Sequence, residues 1–318
     1  MVMMSRPSVS VVVPLYNKAE FVLNTLSAAA RQSAAEFEII VVDDGSTDGS
    51  GELVKKARLP HLQLIKQANA GVSVARNRAI AAAQGKWIAL LDADDLWSHD
   101  HLAGLIEAVE GSDVIAAFSN ARLQSRSGRP LVHPKVSPQK VDDYFSFALA
   151  NGGYSMQTSA TLVLRNQLLE AGLFAEGLSI GEDIDMWCRL ACRGPFFYTA
   201  KPSAAYNDAR SPTRRSERGR TVRPYFAQRL PDLIRDGKVP PALIESSRRY
   251  ANFLMLEYAR QLLDAGENAE ARTVLLNECV VSYDSKRFLK RLARTSRVGR
   301  AIFRLSRVAE NRANSRGT

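Results

Sequence analysis

The stretch Ile39-Ile40-Val41-Val42-Asp43-Asp44-Gly45-Ser46-Thr47-Asp48 decides how this chain folds. Four consecutive apolar, β-branched residues run straight into acidic and turn-forming ones. An apolar run without alternation predicts a strand buried on both faces, which is the condition of a parallel sheet covered by helices. Working outward, similar short runs occur at residues 9–13, 62–65, 87–91 and 114–118. Helix-length stretches separate most of them, at residues 18–32, 50–58, 72–84 and 98–110. Strand and helix in alternation predict a Rossmann-like, doubly wound α/β domain with a mostly parallel sheet.

The rest of the chain is organised differently. Residues 121–160 carry Pro130, Pro134, Pro138 and an Asn151-Gly152-Gly153 turn, with a further strand expected at residues 160–164. A helix is expected from the acidic entry Gly181-Glu182-Asp183 to about Arg193. The polar run from Tyr206 to Arg223 holds six Arg against Asp208 and Glu217 and reads as a loop, a lid or a disordered segment. Beyond Pro240-Pro241 the pattern is helical, with an amphipathic helix over residues 243–264, Gly266 as its C-cap and a second helix over 267–281. Residues 265–272 look like the turn of one tetratricopeptide-type hairpin, but one unit makes an appendage and not an array. The expected division is therefore residues 1–224 for the α/β domain, with halves at about 8–120 and 121–205 and a basic loop at 206–224. Residues 225–318 form a helical C-terminal region.

Composition narrows the class. With 318 residues, 46% hydrophobic and 24% charged, the chain is neither disordered nor collagen-like. It has no apolar run of about 18 residues, the length that spans a bilayer, and no signal peptide is expected at residues 1–8. Three cysteines, Cys188, Cys192 and Cys279, fit a reducing, cytoplasmic setting, and the first two read as core-facing. The net charge of +10 resides in a tail: residues 286–318 hold 11 Lys and Arg against one acid, Glu310. If residues 285–309 form one helix, Phe288, Leu289, Leu292, Val298, Ile302 and Phe303 share a face. Such a helix either lies peripherally on an anionic membrane surface or packs its apolar face on the protein. Nucleic acid is not an expected partner, because no nucleic-acid-binding module accompanies the basic tail. Oligomeric state is left open by the sequence.

In an open parallel sheet ligands bind beyond the carboxyl ends of the strands. Strand one is followed by Pro14-Leu15-Tyr16-Asn17, strand two by Asp43-Asp44, and the strand over 87–91 by Asp92-Ala93-Asp94-Asp95. Adjacent bare carboxylates repel, so they either raise their pKa or gather a cation. A D-x-D pair leaving a strand suits a hard divalent ion, Mg²⁺ or Mn²⁺, that shares its shell with phosphate oxygens. One such pair alone is more often a set of caps and turn formers, roles that Asp95 and Asp48 fit. Two acidic clusters at two strand ends shift the balance to a cation-assisted site. P-loop, G-x-G-x-x-G, H-E-x-x-H and G-x-S-x-G patterns are absent, which disfavours kinase-like, ordinary dinucleotide, zinc-protease and serine-hydrolase chemistry.

Together, residues 10–17, 40–48, 71–77 and 91–95 resemble the nucleotide-sugar-binding half of family 2 glycosyltransferases with the GT-A fold. Gly181-Glu182-Asp183-Ile184-Asp185-Met186-Trp187 resembles the acceptor-side ED motif of that family, and the likeness covers about residues 8–200. It implies that Tyr16, Asn17 and the Pro14 backbone border the nucleotide base and that Asp43 accepts from the base or ribose, while Asp44 shapes the turn. Asp92, Ala93 and Asp94 would form the D-x-D on ribose and metal, with Asp95 sharing that role. Arg76 would approach phosphate or else decorate its helix surface. Asp183 would be the general base, with Glu182 as neighbour or substitute; the other reading makes both acids helix N-terminal charges. The resemblance implies inverting transfer of one sugar from a nucleotide-diphosphate sugar to a glycan or lipid-linked hydroxyl, in bacterial polysaccharide or lipopolysaccharide assembly. A Q-x-x-R-W motif and membrane spans, marks of the processive members, are missing. Two alternatives stay open: a sugar-nucleotide pyrophosphorylase, which wants a Gly-rich basic loop where Tyr16-Asn17 stand, and a non-catalytic nucleotide-sugar-binding scaffold.

Overall fold

A computed structural model describes residues 8–34, 36–123, 136–207 and 221–296. The chain divides into two compact units, Met1–Arg215 and Ser216–Thr318.

The first unit starts as the alternation predicts: β1 (Val9–Leu15), α1 (Val22–Ala30), β2 (Phe37–Asp44), α2 (Ser50–Ala57), β3 (Leu62–Gln67), α3 (Val72–Ala82) and β4 (Trp87–Leu90). There follow β5 (Leu96–Trp97), α4 (His101–Val109), β6 (Ala116–Leu123), β7 (Gln139–Val141), α5 (Tyr144–Ala150), β8 (Thr161–Leu164), α6 (Arg165–Glu170), α7 (Glu182–Ala191) and β9 (Phe196–Tyr206). Among the described residues nine strands form one sheet in the order β3-β2-β1-β4-β8-β6-β9-β5, with β7 added on β9. From β3 to β4 every pairing is parallel, and Val11, Val13, Ile39 and Val41 are fully buried in its core. Beyond β4 the sheet is mixed: β8 runs antiparallel to both β4 and β6, and β9 runs parallel to β6.

Strand β9 has no counterpart in the expectations, and its sequence explains why. Phe196–Tyr206 contains Lys201-Pro202, a pair that argues against a continuous strand. The strand accommodates it with Ala200 at φ 61° and a register shift opposite Asn120. Helix α7 begins at Gly181, whose φ of 84° turns the chain sharply into Glu182 and Asp183. Cys188 is buried, and burial holds its thiol well above the usual range; Cys192 is pushed up to about 12 for the same reason.

The second unit holds α8 (Tyr225–Arg235), α9 (Ile244–Ala265), α10 (Asn268–Glu278) and α11 (Ser285–Arg294). Gly266 caps α9 at φ 89°, and α9 and α10 form the hairpin expected from residues 265–272. Phe288 of α11 is 4% exposed and packs with Leu256, Leu262, Val274 and Leu275, and Leu292 joins the same cluster. This part of the expected tail helix therefore spends its apolar face on its own unit, leaving Leu289 exposed. Val298, Ile302 and Phe303 lie outside the described residues, as does most of the basic run at 206–224. No helix among the described residues is long and apolar enough to cross a membrane.

Candidate active site

Topology collects the acidic strand ends. Because β1, β2 and β4 are parallel neighbours, Tyr16, Asp44 and Asp92 leave the sheet at one edge. β8 is antiparallel to β4, with Leu90 opposite Thr161, so the residues entering β8 lie at that same edge. β9 shares the direction of β6, and hence of β4, so it delivers Asn207 there as well.

The loops after β1 and β2 lock together. Asn17, at φ 51°, donates its N–H to Ser46 Oγ (3.1 Å), and its Oδ1 accepts from the Thr47 N–H (2.8 Å). Pro14 lies within β1, opposite Val42, and Tyr16 stands 37% exposed beside this junction. The buried Asp43 accepts the Ser46 N–H through Oδ1 (3.0 Å). Its Oδ2 lies over Gly51, where an added Cβ would sit 2.0 Å away. Asp44 is consumed structurally: it takes the N–H groups of Ala70 and Gly71, both at 2.9 Å, and the Gln67 amide at 2.7 Å. It thereby fixes the loop that opens α3.

The D-x-D segment meets two protein cations. Asp92 Oδ1 receives Arg76 Nη2 at 2.8 Å, and Asp94 Oδ2 receives Lys18 Nζ at 2.6 Å. Ala93 is buried in the core and its carbonyl accepts from Thr25 Oγ1 (3.1 Å). Asp95 is 1% exposed, and both its oxygens are engaged: Oδ1 accepts the Asn207 N–H (2.9 Å) and Oδ2 the Ser159 hydroxyl (2.6 Å). Burial, followed by the charges of Asp92 and Asp94, pushes the Asp95 carboxyl up to about 8. Asp95 is thus a buried post that ties the β8 and β9 ends to the D-x-D, each of its oxygens already accepting a hydrogen bond from the protein. Ser159 completes the tie by accepting the Asp92 N–H (2.9 Å).

Arg76 joins the two halves of the domain. Its guanidinium is 3% exposed, which removes it from the helix surface, and it lies between Asp92 and Glu182 at 2.8 Å from each. The Phe174 ring flanks it at 5.2 Å. Burial opposes its charge, but the two carboxylates outweigh burial and raise its pKa. The segment before α7 is held from both sides: Asn77 exchanges hydrogen bonds with the backbone of Phe174 (2.9 and 3.0 Å), and Arg189, paired with the buried Asp185, donates to the carbonyls of Ala171 and Leu173. Glu182 is therefore committed to Arg76. Asp183 is partly exposed, and among the described residues its Oδ1 alone accepts a hydrogen bond, from the Ile184 N–H at 2.7 Å. Burial and the neighbouring Glu182 push its carboxyl up to about 7, against the pull of Arg76.

No group of three or more His, Cys, Asp and Glu side chains among the described residues forms a ready metal cage. The donor set nonetheless fits a hard divalent ion, since Mg²⁺-type sites use one or two carboxylates and complete the shell with water and phosphate oxygens. Asp92 and Asp94, leaving β4 one residue apart, would supply two carboxylates of that kind. Lys18, Ser159 and Asn207 had no signal in the sequence: Ser159 and Asn207 reach the site only through the antiparallel β8 and the unforeseen β9, and Lys18 reads as the start of a helix.

The sheet is of the open α/β kind that binds ligands beyond the carboxyl ends of its strands, and its acidic strand ends gather at that edge. Residues 10–170, about half of the chain, match the model of glycosyl transferase family 2, and the chain belongs to that family. It is 34% identical over 213 residues to the succinoglycan biosynthesis protein ExoO of Rhizobium meliloti, covering 63% of this chain and 60% of that protein. The chain thus spans less than two thirds of that relative. TarS 1–349 of S. aureus, solved with UDP-GlcNAc, superposes with a TM-score of 0.61 at 19% identity over 91% of this chain and 79% of that one. The mannosyltransferase PcManGT of Pyrobaculum calidifontis, solved with GDP-Man and Mn²⁺, gives 0.59 at 21% identity over 94% and 83%. These likenesses show the shared fold.

Proposed function

We propose that this chain transfers a single sugar from a nucleotide-diphosphate sugar to a hydroxyl of a glycan or lipid-linked acceptor, with inversion at the anomeric carbon. The observation that carries this reading is the placement of Asp92, Arg76, Glu182 and Asp183 in one continuous cluster. Donor-side and acceptor-side acids adjoin there at the carboxyl edge of the sheet. The family relationship, the succinoglycan role named for ExoO and the nucleotide-sugar complexes of TarS and PcManGT support the same class of substrates.

Each residue then has a task. Tyr16 and the Asn17 turn border the base, and Asp43 accepts from base or ribose. Asp92 and Asp94 hold a divalent cation, Mn²⁺ or Mg²⁺. When bound, the cation neutralises the diphosphate and makes it a better leaving group. Asp183 accepts the acceptor's proton at Oδ2, which receives no hydrogen bond from another described residue. A positioned base of this kind is worth roughly 10²–10⁴-fold. One base and attack from the face opposite the nucleotide give inversion, so an α-linked donor yields a β-linked product. Arg76 keeps Glu182 off the base's proton by holding its carboxylate. We further propose assembly of cell-surface polysaccharide or lipopolysaccharide as the setting, at the cytoplasmic face of the membrane.

The test is a thermal-shift panel of UDP, GDP, dTDP and CDP, with and without Mn²⁺, on wild type and Asp94→Ala. Metal-dependent stabilisation by one nucleotide, lost in Asp94→Ala, is expected. A folded protein that binds none of them would overturn the donor-site assignment.

A further inference from the structure

The two cations beside the D-x-D are not equivalent. Arg76 is buried, bonded to two carboxylates and stacked on Phe174, so its guanidinium is a fixed part of the framework. Lys18 is a point charge on a flexible four-carbon stem. It follows directly on the Asn17 turn, is 14% exposed, and reaches Asp94 Oδ2 at 2.6 Å. The Asp94 side chain is only 4% exposed, so little of this carboxylate remains open to a second cation while Lys18 holds it. A divalent ion bonded to the same oxygen at about 2.0–2.2 Å would place two positive centres against each other across one carboxylate. One of them has to leave, and the Lys18 ammonium can swing away on its flexible stem.

We propose that Lys18 is the resident counter-cation of Asp94, and that a divalent cation binds this carboxylate only by displacing the Lys18 ammonium. Lys18 is in this sense a positioning residue: without metal it keeps the buried Asp94 charge compensated and the D-x-D in place. It also weakens the affinity of the protein for free metal ions. The inference rests on the assignment of Asp94 as a metal ligand.

Mn²⁺ alone is the probe. Binding is followed at pH 8 by the electron paramagnetic resonance of the free ion, for wild type, Lys18→Met, Lys18→Arg, Asp94→Asn and the Lys18→Met/Asp94→Asn double variant, each checked for native circular dichroism. Lys18→Met keeps the stem and removes the charge, and is expected to bind Mn²⁺ about tenfold or more tightly than wild type, the weight of one charged hydrogen bond. Lys18→Arg keeps the charge and is expected to show no gain. In the Asp94→Asn background Lys18→Met is expected to change nothing. Equal affinity of wild type and Lys18→Met, with Asp94→Asn weakened, would overturn the role of Lys18 and leave Asp94 as a ligand. A gain in Lys18→Arg equal to that in Lys18→Met would also overturn it. Mn²⁺ binding that is indifferent to Asp94→Asn would overturn the ligand assignment and the inference with it.

Discussion

Replacing Arg76 by Met tests the central electrostatic argument, because the side chain keeps much of its length and loses its charge. In the wild type the guanidinium makes two charged hydrogen bonds of 2.8 Å, to Asp92 and Glu182, at 3% exposure. Solvent screening at that depth is weak, so the pair cannot be discounted as a surface salt bridge. Each bond, taken by itself, contributes about 1.5–3 kcal/mol. The larger effect is what the substitution leaves behind: the carboxylates of Asp92 and Glu182 facing one another with the arginine charge gone, beside Asp183. Breaking a buried ion pair from one side typically costs about 3–5 kcal/mol, and that is the expected loss for Arg76→Met. The assay is urea unfolding followed by tryptophan fluorescence, which reports the first unit through Trp87, Trp97 and Trp187. The cycle with Glu182→Gln makes the test specific. The double variant removes one of the stranded charges, so its loss is expected to fall short of the sum of the single losses by about 1 kcal/mol or more. An Arg76→Met loss under about 1 kcal/mol, or strict additivity with Glu182→Gln, would refute the claim that one arginine holds the two halves of the site in register.

Asp183→Asn is expected to keep metal-dependent nucleotide binding in calorimetry while transfer falls by about two to four orders of magnitude. Equal turnover would remove Asp183 from its role. Because burial and Glu182 push the Asp183 carboxyl up to about 7, and a base acts only when deprotonated, kcat/KM is expected to rise with pH through about 7 and level off above it. A profile flat from pH 6 to 8 would contradict the assignment. Gly51→Ala is conformationally permitted in the first turn of α2, where Ala ordinarily gains about 1 kcal/mol over Gly. The new Cβ, however, falls 2.0 Å from Asp43 Oδ2 and has to turn that carboxylate aside. Nucleotide affinity is therefore expected to drop about tenfold while the melting temperature stays near wild type, and unchanged affinity would show that Asp43 does not touch the nucleotide. Asp95→Asn is expected to retain Mn²⁺ binding, whereas Asp94→Asn loses it, since both Asp95 oxygens already accept hydrogen bonds from the protein. Loss of the metal in both variants to the same degree would return Asp95 to the ligand set.

Sequence alone determined the first half of the sheet and the acidic residues at its edge. Short apolar, β-branched runs bounded by turn formers read as strands buried on both faces, and a strand that ends in Asp43-Asp44 or Asp92-Ala93-Asp94 puts its carboxylates where such sheets bind ligands. The start of α7 was legible for a similar reason, since Gly181 followed by two acids is a local signal for a helix N-terminus. These features depend on neighbours a few residues apart. What the acids do to one another depends on contacts across 64 to 112 residues of chain, which exist once the sheet has assembled. An Arg on α3 is a surface charge or a buried clamp according to whether Phe174 and Glu182 close over it, and nothing in its own helix says which. Asp95 read either as a turn former or as sharing the role of Asp94, because the two adjoin in sequence. They diverged because β8 and the Pro-containing β9 bring Ser159 and Asn207 to one carboxylate, while Lys18 comes to the other. Periodicity reports which face of an element is buried. It carries no information about which distant donor arrives there to compensate a charge, and in a buried acidic site that arrival sets the chemistry.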